Sequence, residues 1–253
     1  LWYMAVNSCI LNADTYSLVN VRNYYMYQTQ NGQFQIIPWD VSESFIGALT
    51  FWWGDVENLY QASPYFGYDP YIEDRPLIYG LLQVDLYKKI YDAHIRTIMN
   101  DFINTSYFED SAQELGDISY SFSQDDPNTL FGEGYESNVN ESYFFWDQGM
   151  GGWNALSGIL NTIEERKNFL NQHPLMNQET PIIEYVLQNI ENPQNGEEVI
   201  VSSKITNTDQ VELMITTQPS HFNFISHEMN DMGINGDQIA GDDVYSCTVP
   251  FSS

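Results

Sequence analysis

The stretch that decides the reading is YYMYQTQNGQFQIIPWD, residues 24 to 40. Two runs rich in Tyr, Ile and Phe flank Asn31-Gly32, a pair that accepts the positive backbone angles of a tight turn. The pattern predicts a β-hairpin with strands over 24–28 and 34–40. Asp40 then follows Phe34, Ile36, Ile37, Pro38 and Trp39, so a charge leaves a greasy strand just as the strand stops. A carboxylate in that place either caps the next turn or takes part in chemistry.

Outward from the hairpin, residues 1–13 carry apolar positions at helical spacing and break at Asn12-Ala13-Asp14, which predicts a helix that ends there. Residues 41–74 are aromatic, Gly-bearing and aperiodic, a long ordered loop by this reading. Residues 75–103 form the best helical pattern, with Pro76 near the start and a break expected at Val84-Asp85. A second helix is expected over 106–122, a polar, Gly-rich surface excursion over 125–152, and a third helix over 153–173 halted by Pro174. Beyond about residue 180 the texture changes to short alternating runs (EEVIVSSKIT, QVELMITTQ, FNFISHEM, VYSCTVPF) punctuated by Asn, Asp and Gly. The fold class expected is therefore α+β: a first domain over 1–178 and an appended all-β, immunoglobulin-like sandwich over 179–253.

Eight Lys plus Arg against 35 Asp plus Glu give the 253-residue chain a formal charge of −27. Phosphate polymers would be repelled, so the charge argues against a nucleic-acid partner and favours cations. The same acidity also serves as a plain solubility trait. Cys9 and Cys247 stand at opposite ends with no CxxC pair, and four scattered His give no zinc pattern. No run of 18 apolar residues provides a membrane span. The chain opens on LWYMAVNSCILNA, without Met and in what reads as mid-helix, and is expected to be the C-terminal part of something longer.

Taken with its flanks, NADTYSLVNVRNYYMYQTQNGQFQIIPWDVSESFIG (12–47) resembles the CotH family, the spore-coat protein H group of atypical, secreted or surface-associated kinases. The residues that carry the resemblance are Asp14, then Asn23-Tyr24-Tyr25-Met26-Tyr27, then Ile37-Pro38-Trp39-Asp40 with Ser44-Phe45. The segment RPLIYGLL and the helix IEERKNFL extend it, so it covers roughly residues 1–173. The resemblance implies a protein kinase using ATP with Mg2+ or Mn2+, acting on Ser or Thr of a protein substrate or surface partner, in a bacterial secreted or cell-surface setting. It implies Asp14 as the catalytic-loop aspartate, and Asn23 and Asp40 as metal ligands. Hard oxygen donors are what Mg2+ needs against ATP phosphates, and a hairpin would place Asn23 and Asp40 at one open end. Many members carry an acid two positions after the Pro-Trp-Asp aspartate; here that position is Ser42 and Glu43 follows, so either Glu43 substitutes or one contact is missing. In the family the nucleotide-cradling sheet and a phosphate-contacting cation precede the hairpin. Half of the ATP site is therefore expected outside these residues, since Arg22 is the one Lys or Arg before Arg75.

The tail NDMGINGDQIAGDDVYSCTVP (230–250) resembles an Asp- and Gly-rich loop of small β-sandwich modules that follow such domains in secreted bacterial proteins. Asp231, Asn235, Asp237, Asp242 and Asp243 supply oxygens at a density suited to Ca2+, without the ligand spacing of an EF-hand. An Asx-rich loop bonding its own backbone fits the same residues. Glu164 and Glu165 beside Arg166 and Lys167 read as a solvated helix face. Two further readings stay open: a non-catalytic binding or scaffold module of a multidomain protein, and a carbohydrate-associated one using the aromatics FWWG at 51–54.

Overall fold

The hairpin forms as β1 (Tyr24–Gln28) and β2 (Phe34–Pro38), with Tyr24 opposite Pro38 and Gln28 opposite Phe34. The computed structural model describes residues 1–17, 21–30, 32–49, 59–66, 75–128, 138–147, 152–216 and 224–251. The aromatics FWWG at 51–54 lie outside the described residues. The chain is α+β and divides into two compact units, Leu1–Thr29 with Phe34–Asn177, and Gln30–Gln33 with Gln178–Ser253.

Helix α1 (Trp2–Cys9) is shorter than the helix expected to residue 13. Leu11 takes a left-handed φ of 52°, and the carbonyls of Ile10 and Leu11 turn away to accept the N–H groups of Phe45 (2.8 Å) and Ile46 (3.2 Å). Phe45 and Ile46 are themselves left-handed, at 60° and 74°. Bulky side chains rarely hold that conformation, and three of them here lock residues 10–11 to residues 45–46. The lock ties the segment that carries Asp14 to the segment that carries Asp40.

The predicted split of the long helical pattern is present. Helix α2 (Pro76–Leu82) opens on Pro76, whose fixed φ suits a first helical position and whose missing N–H is no loss there. Val84 is extended, and α3 (Asp85–Ile98) restarts with Asp85 in its first turn, where its charge meets the positive end of the helix. A π-turn (Met99–Ile103) continues it, and α4 (Tyr107–Gln124) follows. Met4, Ala5 and Cys9 of α1 pack with Ile78 and Leu82, with Tyr91, Ile95 and Ile98, with Met99 and with Leu170 to make the first unit's core. Each of the Ile, Leu and Met side chains among them contributes roughly 1.5–3 kcal/mol on burial. Helix α4 buries none of its residues.

Two assignments are corrected between residues 125 and 173. The excursion contains a strand, β3 (Tyr143–Asp147), which pairs with β4 (Gly152–Leu156), so Trp153–Leu156 is strand where helix was expected. The aromatic run 143–146 supplies a pleated partner, and pairing overrides the helical spacing. Gly158 is extended at the junction, and α5 (Ile159–Gln172) begins only there, its first N–H groups donating to the carbonyls of Asn138 and Val139.

The second unit holds an antiparallel sheet of β5 (Ile182–Gln188), β6 (Glu198–Thr206) and β9 (Val244–Pro250), and a ribbon of β7 (Val211–Ile215) and β8 (Ile225–Met229). Val199, Ile205, Val211, Met229, Cys247 and Val249 share one apolar cluster drawn from both sheets. Strand β5 was not expected: IIEYVLQ does not alternate, and all seven residues are exposed on an edge. Cys9 and Cys247 are both buried free thiols, and burial pushes the Cys9 thiol up to about 12, which makes it unreactive packing.

Candidate functional site

The chain arriving from α1 brings Asp14 inside, to 3% exposure. Its carboxylate is held by the two residues that precede β1. Arg22 donates Nε to Oδ1 at 2.6 Å and Nη2 to Oδ2 at 2.7 Å, a two-pronged grip that matches the guanidinium fork to the carboxylate. Asn23 donates Nδ2 to Oδ2 at 2.7 Å and to the Asp14 carbonyl at 3.0 Å. Both partners of that amide nitrogen are acceptors, so the amide orientation is fixed and Asn23 Oδ1 lies on the side away from them.

Asp40 stands across the hairpin's open end. The Trp39 N–H donates to the Asn23 carbonyl at 3.2 Å, one step beyond the last strand pair. Asn23 (φ 57°) and Asp40 (φ 45°) then turn left-handed on opposite chains, a conformation that short polar side chains tolerate best. Ser42, which stands where the family often has an acid, donates its hydroxyl to Asp40 Oδ1 at 2.8 Å. Asp40 is exposed, and so is most of β2 before it, so the greasy strand that the charge leaves lies at the surface. Tyr25 and Trp39 meet edge to face at 5.5 Å on the surface.

Arg22 sits in the combined field of this acidic group. Its hydrogen bond to Asp14, the Asp14 charge, and then the charges of Asp40 and Glu43 raise its pKa above the ordinary value. Asp14, Asn23, Arg22 and Asp40 are thus brought to one end of the hairpin. Among the described residues, Asp14, Asp40 and Glu43 do not bring their oxygens within 4.8 Å of one another. As a donor set, the Asn23 amide oxygen and the Asp40 carboxylate are hard ligands of the kind Mg2+ and Mn2+ take, with the Asp14 carboxylate beside Asn23 under Arg22.

The family described as CotH kinase protein matches residues 1–143. The chain belongs to the CotH kinase family. The matched region takes in α1, the Asp14 segment, the hairpin and Asp40, and extends through α4 into β3. No curated protein and no solved structure matches the chain. No described helix is long and apolar enough to cross a membrane.

The tail residues lie in the β8–β9 connection of the second unit. Asp231, Asp237 and Asp242 each offer a carboxylate oxygen within 4.8 Å of the others. Each also holds the loop's own backbone: Asp231 accepts from Gly241 (2.7 Å), Asp242 (3.2 Å) and Asp243 (3.0 Å), Asp237 from Gly233 (2.5 Å), and Asp242 from Val244 (3.1 Å). Asp243 joins through its N–H, and Asn235 occupies a left-handed turn beside Gly236. Gly236, at φ 97°, faces Ile200 Cγ2 at 2.8 Å from where a Cβ would stand, so no larger residue fits.

One residue of consequence was missed in the sequence. Arg166, read as part of a solvated face, is 1% exposed. It donates Nη1 to the carbonyls of Tyr60 (2.9 Å) and Ala62 (2.5 Å) and Nη2 to that of Ser8 (2.9 Å), and burial lowers its pKa to about 10. Its neighbours Lys167 and Glu164 do form the exposed ion pair expected of that face. The available signal was spacing: Ile163, Arg166 and Leu170 lie on one helical face.

Proposed function

We propose that this chain carries the metal side of a CotH-like atypical protein kinase, which transfers a phosphoryl group from ATP to Ser or Thr of a secreted or cell-surface bacterial protein. The observation that carries the reading is Asp14 held by Arg22 and Asn23 at the end of the hairpin that Asp40 also flanks. Asp14, buried and fixed, would accept or orient the acceptor hydroxyl's proton. Asn23, through Oδ1, and Asp40, through the oxygen not engaged by Ser42, would hold Mg2+ or Mn2+. The ion's role is to neutralise charge on the transferring phosphoryl group. The test is transfer of labelled γ-phosphate by the full-length protein with Mg2+ or Mn2+. Label is expected on Ser or Thr of a secreted or surface protein and is expected to disappear with EDTA; absence of divalent-dependent transfer would remove the assignment.

A non-catalytic scaffold is the second reading, favoured by Ser42 at the acidic position and by Arg22 on Asp14. Calorimetry with Mg-ATP separates the two: micromolar binding opposes the scaffold and its absence supports it. Within the same proposal, residues 1–178 form the kinase-like domain and 179–253 a small sandwich whose Asp231, Asp237 and Asp242 take Ca2+, with Asn235 and Asp243 completing the loop. A millimolar Ca2+ addition is then expected to raise the melting temperature of this unit's transition by several degrees, about 1–2 kcal/mol of linkage. An unchanged transition would leave the aspartates as backbone staples alone.

A further inference from the structure

The cation paired with Asp14 is a side chain of the same hairpin. Arg22 covers both carboxylate oxygens with Nε and Nη2, and among the described residues its hydrogen bonds go to Asp14 alone. The two partners differ in freedom. The Arg22 side chain is 63% exposed and that of Asp14 only 4%, so the carboxylate is fixed while the guanidinium is able to turn into solvent. Direct ligation of a divalent ion requires an oxygen lone pair at about 2.0–2.1 Å, and the fork takes one lone pair on each Asp14 oxygen while Asn23 takes a second on Oδ2. The ion and the guanidinium also repel each other.

From this geometry we infer that Arg22 is the resident counter-cation of the site, a positioning residue that competes with the divalent ion for Asp14. The inference rests on the reading of Asn23 and Asp40 as metal ligands, and adds that the ion also draws on the Asp14 carboxylate beside Asn23. With Arg22 in place, Asp14 is neutralised and held in one orientation. With Arg22 swung away, Asp14, Asp40 and Glu43 present three negative charges that a divalent ion satisfies better than a single guanidinium does. Ion occupancy and Arg22 pairing therefore oppose each other, and removal of the competitor strengthens ion binding.

The experiment titrates Mn2+ alone into the full-length protein and reads the free ion by electron paramagnetic resonance. Arg22→Gln is expected to bind Mn2+ about tenfold more tightly than wild type, because the fork and its charge are both gone. Arg22→Lys keeps the charge without the fork and is expected to gain less; it decides the matter should Arg22→Gln fail to fold. The gain is expected to vanish in Arg22→Gln/Asp40→Ala, which ties it to this site and not to the β8–β9 loop. Unchanged or weaker Mn2+ binding in the foldable Arg22 variants would overturn the inference. If wild-type binding is lost in Asp40→Ala while the Arg22 variants match wild type, the competitor role falls and the metal site stands; if no variant binds Mn2+, both fall.

Discussion

Urea denaturation of Arg166→Met is expected to show a loss of about 3–5 kcal/mol relative to wild type, with the denaturant dependence unchanged. The side chain is buried and spends its guanidinium on three backbone carbonyls, those of Tyr60, Ala62 and Ser8. Methionine fills similar volume and removes a buried charge, which by itself is neutral or stabilising. The buried Ser8 carbonyl and the partly buried carbonyls of Tyr60 and Ala62, however, would lose their donor, and an unsatisfied buried acceptor costs about 1–3 kcal/mol, less where water reaches it. The carbonyl term is therefore expected to win. Arg166→Lys retains an N–H donor but lacks the fork that reaches Ser8 and Ala62 together, so it is expected to fall between wild type and the methionine variant. A loss below about 1 kcal/mol for the methionine variant would contradict this account of how α5 holds α1 and residues 60–62.

The parts of the fold that were legible in the sequence are those fixed by local rules. The two hairpin strands follow from aromatic and Ile-bearing runs on either side of residues 29–33, and α2 and α3 follow from Pro76, the break at Val84 and apolar spacing. The parts that were not legible depend on partners remote in sequence. Trp153–Leu156 has helical spacing but becomes strand because Tyr143–Asp147 pairs with it. Arg166 looks solvated until the carbonyls of residues 8, 60 and 62 converge on it. At the site, family motifs placed Asp14, Asn23 and Asp40, and the hairpin explains how Asn23 and Asp40 flank one end. That Arg22 would take both oxygens of Asp14 was not visible, because nothing local dictates which of many carboxylates a lone cation selects.

Asp40→Asn is expected to lower phosphoryl transfer by the full-length protein on the order of 10²–10³-fold, the scale set by losing one preorganised electrostatic contact in a transition state. Asparagine is the informative replacement. It tolerates the left-handed backbone at φ 45°, whereas alanine would add strain, and its Oδ1 still accepts from Ser42, so the change removes charge and little else. Because Asp40 is exposed, stability is expected to stay within about 0.5 kcal/mol of wild type. Asp14→Asn should differ in that second readout: Asp14 is buried, and its charge answers Arg22, so the same exchange there is expected to cost activity and stability together. The contrast separates a carboxylate kept for its charge toward an ion from one that also holds the fold. Undiminished transfer by Asp40→Asn in protein of wild-type stability would mean that Asp40 only caps the turn after β2, and the metal assignment would lose its most exposed ligand.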